Sequence, residues 1–323
     1  MPTTVLPPST TVTDAPPWYV VLNAGSGHED ATTAECIIAE RLSRAGRRHE
    51  VLRVEGASSI DELAREAVRR ARRDDGIVVA AGGDGTINAV AQAALGGGCR
   101  FGVIPQGTFN YFARAHGIPQ ETVEAVDALL ASRPRPTRIG AVNGHVFLVN
   151  ASLGLYPETL EAREEQKQRH GRRRIVALWA ALLTVLRRHR PMRIRLALSA
   201  GTRELSTLTL FVGANRLQLE QLGLEDAAGD EDALVAVVLK PVSRLQLLWL
   251  LVKGAAGRLD DDARVEAFAF DSMTVTPAST RTRRVKVATD GEIRWLEPPL
   301  EFRRLEQPLR LHLPDVVRGR DDT

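Results

Sequence analysis

Short apolar runs alternate with amphipathic stretches between Trp18 and Val142. The run at Ile77–Ala80 is uninterrupted and rich in β-branched residues, which predicts a strand buried on both faces. Apolar residues then recur at helical spacing from Ile87 to Leu95, and Gly96–Gly98 end the helix. This alternation is typical of a parallel sheet covered by helices. Further helices are predicted at 31–45, 60–73 and 121–132.

Beyond this region the pattern changes to an alternation of single apolar and polar residues, which is typical of antiparallel strands. The stretch Arg133–Thr137 carries two prolines and is predicted to be a linker. A β-sandwich is therefore expected to follow the α/β part. Its strands are predicted at 139–142, 145–150, 192–198, 205–213, 233–239, 264–270, 273–276, 285–289 and 293–297.

The turn Gly82–Thr86 joins the predicted strand at 77–80 to its helix, and Asp84 is its one charged residue. Glycines let the backbone fold tightly and let a ligand approach the amides. The free N–H groups of a helix start suit an anion. The carboxylate would repel a phosphate unless a metal ion lay between them. The turn therefore indicates nucleotide phosphates with magnesium, and a plain strand-to-helix turn is the alternative.

Two other apolar strands end in similar loops. Trp18–Leu22 is followed by the loop Asn23–His28, and Phe101–Ile104 is followed by Pro105–Asn110. The carboxyl ends of parallel strands share one edge of the sheet, and ligands bind at that edge in open α/β sheets. The three loops are therefore expected to form one site.

Composition excludes several classes of protein. Lysine occurs only at positions 167, 240, 253 and 286, so the first domain has neither a GxxxxGK[ST] phosphate loop nor a protein-kinase site. Two cysteines and seven scattered histidines offer no disulfide framework and no zinc spacing. The net charge of +3 mildly favours anionic partners. The basic clusters lack aromatic platforms, which argues against nucleic acid.

The order of the loops resembles a known family. The segments Asn23–Gly27, Gly82–Asn88 and Gly102–Arg114 follow one another as in the diacylglycerol kinase catalytic domain, and Val149–Pro157 and Thr289–Glu292 also fit. Between about residues 19 and 314, the chain resembles the bacterial lipid kinases of this family, which also includes sphingosine and ceramide kinases. The resemblance implies a Rossmann-like α/β nucleotide domain followed by a β-sandwich domain, with the active site in the cleft between them.

Composition, the hydrophobic pattern and the resemblance together indicate domain limits. We expect a disordered tail at 1–17, an α/β nucleotide-binding domain at 18–142 and a β-rich lipid-substrate domain at 143–299. The segment 300–313 is expected to return to the first domain, and 314–323 to form a flexible tail.

Site residues follow from the same resemblance. Asp84 is expected to be catalytic and to bind Mg²⁺, and Asp290 to be the general base with Glu292 as its electrostatic partner, although these two roles could be reversed. Asp230 is a candidate ligand for a structural cation, with a solvated acidic loop as the alternative. The residues expected to bind ATP are Asn23, Ser26, Gly27, Gly83, Gly85, Thr86, Gly107, Thr108 and Asn110.

Two positions depart from the family pattern, because Tyr111 stands where an aspartate is usual and Ala89 where a glutamate is common. The function expected is ATP- and magnesium-dependent phosphorylation of a lipid hydroxyl, with diacylglycerol giving phosphatidic acid in phospholipid biosynthesis. An NAD kinase-like enzyme is one alternative. The departures motivate another, a catalytically silent lipid- or nucleotide-binding protein.

The expected location is the cytoplasm, at the inner membrane surface. No apolar run reaches the length of a membrane span. The apolar stretch Ile175–Leu186 is flanked by arginines, so it is either a helix lying at the membrane surface or a core helix. The sequence leaves the oligomeric state open, a homodimer included.

Overall fold

The computed structural model describes residues 15–23, 31–54, 59–154, 157, 191–214, 233–243, 245–247, 249–250, 263–279 and 283–314. Its helices are α1 (Ala31–Arg44), α2 (Ile60–Arg73), α3 (Asp84–Gly97), α4 (Tyr111–Ala115) and α5 (Thr122–Leu130). Its strands are β1 (Trp18–Leu22), β2 (His49–Arg53), β3 (Ile77–Gly82), β4 (Arg100–Pro105), β5 (Arg133–Thr137), β6 (Gly140–Val142), β7 (His145–Phe147), β8 (Asn150–Gly154), β9 (Met192–Leu198), β10 (Gly201–Thr207), β11 (Thr209–Gly213), β12 (Leu234–Leu239), β13 (Val265–Phe270), β14 (Ser272–Pro277), β15 (Val285–Thr289), β16 (Glu292–Leu296), β17 (Leu300–Arg304) and β18 (Leu309–Leu313).

The first six-stranded sheet, sheet A, has the order β2-β1-β3-β4-β18-β5. Its strands are parallel except β5, which runs antiparallel to β18. Helices α1 and α5 pack on one face of the sheet, and α2 and α3 pack on the other. Both faces are covered, which explains why β1 and β3 are buried along their whole length.

Two further six-stranded sheets form the β-sandwich. Sheet B has the order β10-β9-β14-β17-β6-β7, and sheet C has the order β13-β12-β11-β8-β15-β16. Their inner faces share one apolar core, to which sheet B contributes Leu196 and Phe302 and sheet C contributes Leu153 and Leu210. The predicted fold class, an α/β domain followed by a β-sandwich, is confirmed.

The interpretation of Arg133–Thr137 as a linker is wrong, because this segment is the edge strand β5 of sheet A. Proline cannot donate a ladder hydrogen bond, so it is tolerated on an edge strand where the N–H would face outward. Pro134 and Pro136 occupy alternate positions of β5, which lets Arg133, Arg135 and Thr137 point their N–H groups to one side. Two prolines are therefore compatible with this strand.

Two predicted strands are each divided between sheets. The predicted strand 145–150 separates into β7 in sheet B and β8 in sheet C, and 205–213 separates into β10 in sheet B and β11 in sheet C. The second break lies at Leu208, which is buried. The hydroxyl of Thr207 donates at this break to the carbonyls of Thr209 and Leu239, at 2.7 Å each. Apolar residues continue through both breaks, so the sequence pattern alone predicts one strand in each case.

The segment 300–313 divides between the two parts of the molecule. Strand β17 pairs with β14 and β6 in sheet B, while β18 pairs with β4 and β5 in sheet A. Strand β6, which precedes residue 143, also lies in sheet B. No helix in the part of the chain that the structure describes is long and apolar enough to cross a membrane.

A buried histidine makes the stability of sheet A depend on pH. His312 lies in β18 with Nδ1 2.9 Å from Ser132 Oγ, and burial lowers its pKa to about 4. The unfolded chain takes up this proton near pH 6.5. The free energy of unfolding should therefore fall as the pH drops from 6.5 to 4, by on the order of 3 kcal/mol for this residue.

Replacing His312 by asparagine should remove this part of the pH dependence in urea unfolding between pH 7 and pH 4. His49→Asn, on the edge strand β2, is the matched control. An unchanged pH slope in His312→Asn would show that the imidazole titrates equally in the folded and unfolded chains.

Candidate active site

The carboxyl ends of β1, β3 and β4 meet at one edge of sheet A and form the floor of a pocket of about 360 Å³. Among the described residues of the sandwich, Glu292 at the start of β16 lines this pocket. The site therefore lies where the two parts of the chain meet. It is lined by Asn23, Ile60, Gly83, Asp84, Gly85, Thr86, Gly107, Thr108, Phe109 and Glu292.

The turn after β3 brings the first helical amides to this pocket. Helix α3 begins at Asp84 with Gly83 as the N-cap. Thr86 is the third residue of α3 and is buried, and its Oγ1 accepts a hydrogen bond from Asn23 Nδ2 at 3.2 Å. This contact joins the end of β1 to the start of α3. The unpaired N–H groups of the first turn remain available to an anion.

The loops after β3 and β4 approach each other too closely for side chains. A Cβ on Gly107 would lie 2.7 Å from the Cα of Gly83 and 2.7 Å from Asn110 Oδ1. Asn110 adopts the left-handed conformation at φ +48 and closes this loop through its side chain. Its Oδ1 accepts the Gly107 N–H at 2.9 Å, and its Nδ2 donates to the Gly107 carbonyl at 2.8 Å and to Gln120 Oε1 at 3.0 Å. Asn110 therefore shapes the loop and lines a neighbouring hollow of about 210 Å³ instead of the main pocket.

Gly107→Ala should separate the two loops, because the new methyl group meets backbone that cannot move aside. We expect a loss of on the order of 2 kcal/mol in stability and about a tenfold weaker nucleotide affinity. Gly96→Ala, in α3 with open space around its Cβ, is the control and should stabilise the chain slightly. Thermal unfolding and ATP titration measure both effects, and equal behaviour of the two variants would contradict the close approach.

Asp84 combines burial with a pocket-lining position. Burial raises the pKa of its carboxyl group, while the N–H groups of Phe112, Asn110 and Tyr111 and the charge of Arg114 lower it. Its Oδ1 is buried and accepts no hydrogen bond from the described residues. An unsatisfied buried carboxylate oxygen is costly unless a cation or donor reaches it.

Asp290 holds the sandwich against the α/β domain. Its Oδ1 accepts the N–H groups of Val149 and Asn150 at 2.9 Å each, and its Oδ2 accepts the N–H of Leu148 at 2.7 Å and Asn88 Nδ2 at 2.6 Å. Burial nevertheless raises the pKa of this carboxyl group. These N–H groups are available because the chain leaves sheet B at Leu148 and Val149 before it enters sheet C. With four donors on its two oxygens, Asp290 is saturated as an acceptor and faces backbone instead of the pocket.

The hairpin turn between β15 and β16 explains how two nearby acids take different directions. Asp290 and Gly291 form a two-residue turn with φ +48 and +88, and Asp-Gly suits such positive values. Glu292, on the far side of the turn, reaches α3, since a Cβ on Gly85 would lie 3.2 Å from its Oε1. Its Oε2 accepts Arg294 Nη2 at 2.9 Å. Glu292 is therefore the acid of the late motif that faces the pocket.

Two polar residues of α3 that the sequence did not assign to the site dock the sandwich. Asn88 Nδ2 donates to Val146 O at 3.1 Å as well as to Asp290, and Gln92 Oε1 accepts the Val146 N–H at 2.7 Å. Their spacing of four residues, within an otherwise apolar helix, is the signal that could have indicated them. Together these hydrogen bonds hold the sandwich against α3 and so position Glu292 relative to this helix.

One aromatic residue, Phe109, lines the pocket. Phe109 is 55% exposed and stacks on Tyr111, with ring centroids 5.7 Å apart and planes 3° apart. Tyr111, which departs from the family pattern, begins the short helix α4 that the sequence did not predict. The candidates Ser26, Gly27 and Asp230 and the stretch 175–186 lie outside the described residues.

Comparison with known proteins agrees with this arrangement. Residues 17–142 match the family model of the diacylglycerol kinase catalytic domain. This matched segment spans strands β1 to β6 and helices α1 to α5. The diacylglycerol kinase of Bacillus subtilis (strain 168) is 37% identical over 142 residues, which cover 43% of this chain and 46% of that protein. A probable lipid kinase, YegS-like, of Pseudomonas aeruginosa (strain UCBPP-PA14) is 51% identical over 79 residues, which cover 24% of this chain and 26% of that protein.

The sequence matches therefore span less than half the length of these curated relatives. The structural likeness covers more of the chain. A crystal structure of a diacylglycerol kinase from Bacillus anthracis str. Sterne aligns with a TM-score of 0.68 at 17% identity, over 93% of this chain and 98% of that one. A second crystal structure from that organism aligns with a TM-score of 0.72 at 19% identity, over 93% and 98%. This likeness shows that both parts of the chain share the fold of those proteins.

Proposed function

We propose that this chain is an ATP-dependent lipid kinase that transfers the γ-phosphate to a lipid hydroxyl. The observation that carries the proposal is the position of Glu292, an acid of the sandwich, against Gly85 in the first turn of α3. Helical amides suit the phosphates of a nucleotide, and a carboxylate on the opposite wall suits the hydroxyl that attacks them. One side of the pocket thus suits the phosphate donor, and the other suits the hydroxyl that accepts the phosphate.

The residues present fit a magnesium ion at Asp84. Magnesium is commonly held by one or two carboxylates together with substrate phosphates and water, and Asp84 Oδ1 is a buried oxygen that accepts no hydrogen bond from the described residues. The described residues contain no group of three or more potential metal ligands, so the nucleotide phosphates would complete the site. A bound Mg²⁺ would neutralise phosphate charge during transfer.

The assignment of roles differs from the order expected for the two late acids. Asp290 accepts four hydrogen bonds, three of them from backbone N–H groups, and has no oxygen left for a substrate proton. Glu292 is half-exposed in the pocket and bonds only one arginine among its described neighbours. We therefore assign the general base to Glu292 and a positioning role to Asp290.

We propose diacylglycerol as the acceptor and phosphatidic acid as the product. The name of the Bacillus subtilis relative supports this choice. Because such an acceptor resides in a bilayer, the enzyme is expected to act at the membrane surface.

The test uses the full chain, ATP labelled on its γ-phosphate, and phosphatidylcholine vesicles that contain diacylglycerol, sphingosine or ceramide. The proposal expects label in phosphatidic acid, and loss of the signal when magnesium is chelated. Label in a sphingolipid product would change the acceptor but keep the lipid kinase. Label on added NAD would overturn the proposal in favour of an NAD kinase-like enzyme, and nucleotide binding without transfer to any acceptor would overturn it in favour of a silent binding protein.

A further inference from the structure

The described lining of the pocket has no basic side chain to meet the negative charge of a triphosphate. Among the described residues that line it, Asp84 and Glu292 are acidic and none is basic. Lysine does not occur before residue 167, so a lysine of the α/β domain cannot fill this role. A magnesium ion would offset part of the charge of ATP, but phosphoryl-transfer sites generally add a side-chain cation near the terminal phosphate. An arginine is the expected donor, since its planar group binds phosphate oxygens in pairs.

Arg294 is held next to this pocket by the acid that faces it. It lies two residues after Glu292 on β16, and both side chains project from the same face of the strand. Arg294 Nη2 donates to Glu292 Oε2 at 2.9 Å, while Glu292 Oε1 lies against Gly85. The Glu292 carboxylate therefore lies between the guanidinium group of Arg294 and the first turn of α3.

The ion pair leaves Arg294 with unused donor capacity. Its Nε is buried and has no hydrogen-bond partner among the described residues, although the side chain as a whole is 38% exposed. A half-exposed ion pair adds little stability, and a buried donor without an acceptor is costly. Stability alone therefore does not account for this arrangement, whereas an incoming phosphate oxygen would satisfy the free donor.

We propose that Arg294 recognises the γ-phosphate of the nucleotide, and that it exchanges Glu292 for phosphate oxygens when ATP binds. The inference rests on the proposed kinase function. The exchange frees Glu292 Oε2 for the acceptor hydroxyl. In the transfer, the bond between the γ-phosphorus and the β,γ-bridging oxygen breaks and ADP leaves with the electron pair. The acceptor oxygen bonds to phosphorus, and its proton passes to Glu292.

The test compares the affinities for ATP and ADP without lipid, so that it does not depend on turnover. A contact to the γ-phosphate is made by ATP and not by ADP. Wild type should therefore prefer ATP, and Arg294→Ala should reduce this preference about tenfold to a hundredfold. Arg294→Lys should retain part of it. Arg284→Ala, which breaks the similar pair of Arg284 with Glu297 on the same hairpin, should leave it unchanged.

The outcomes separate this inference from the proposed function. An unchanged ATP preference in Arg294→Ala, or no preference in wild type, overturns the role of Arg294 even if lipid is phosphorylated. Absence of transfer to every lipid overturns the kinase function, while the affinity ratio still reports on Arg294. Where transfer occurs, kcat should fall about a hundredfold in Arg294→Ala with little change in the KM for lipid. Should the alanine variant fail to fold, Arg294→Gln carries the same comparison.

Discussion

Asp84→Asn should reduce phosphoryl transfer by roughly a thousandfold or more while the chain remains folded. The carboxylate lies in the first turn of α3, lines the pocket and has one buried oxygen that accepts no hydrogen bond from the described residues. Asparagine keeps the size of the side chain and removes the charge that would hold magnesium against the phosphates. Single-turnover transfer from labelled ATP to diacylglycerol vesicles measures the loss.

The control for this prediction is Asp61→Asn, which removes an exposed acid from the first turn of α2 beside the same pocket. It should leave transfer within about twofold, because a solvated charge contributes little at this range. Thermal unfolding of both variants shows whether the fold is retained. A folded Asp84→Asn protein with near wild-type turnover would contradict the role of this carboxylate.

The two acids of the late hairpin should respond in opposite ways to neutralisation. Glu292→Gln should keep the unfolding midpoint and lower kcat about a hundredfold or more, since a general base typically contributes that much. Asp290→Asn should lower the free energy of unfolding by on the order of 3 kcal/mol, because one amide oxygen cannot accept four hydrogen bonds and the new NH₂ group would face backbone donors. Urea unfolding and steady-state kinetics separate the two effects.

Matched variants exist for both acids. Glu297→Gln breaks an exposed pair with Arg284 near Glu292, and Asp271→Asn neutralises an exposed acid that pairs with the partly buried Arg304 in another turn of the sandwich. Neither should change stability by more than about 1 kcal/mol. If Asp290→Asn proved as stable as wild type and lost transfer with ATP binding intact, Asp290 would be the base, as first expected, and our assignment would be reversed.

Local chemistry explains why much of the α/β domain could be predicted. Gly83 and Asp84 were placed at a strand-to-helix turn because glycines and a sudden change of period mark such a turn without reference to the rest of the chain. Boundaries were less predictable: the helix expected from Ile87 begins at Asp84, and the prolines expected in a linker occupy the edge strand β5. In both cases a neighbouring strand or loop decided the outcome.

The sequence by itself determined the strands and loops that meet at one edge of a parallel sheet, and it indicated the acids at 84, 290 and 292 as candidates. Only the tertiary structure decided which acid faces the pocket. The donors that saturate Asp290 come from residues about 140 positions earlier and from α3, 202 positions away. The role that we propose for Arg294 likewise depends on the contact between Glu292 and Gly85. The hydrophobic period of a segment indicates which of its faces is buried. A hydrogen bond between distant segments depends instead on how the sheets pack against one another, and that packing is set by many residues in the cores of both domains.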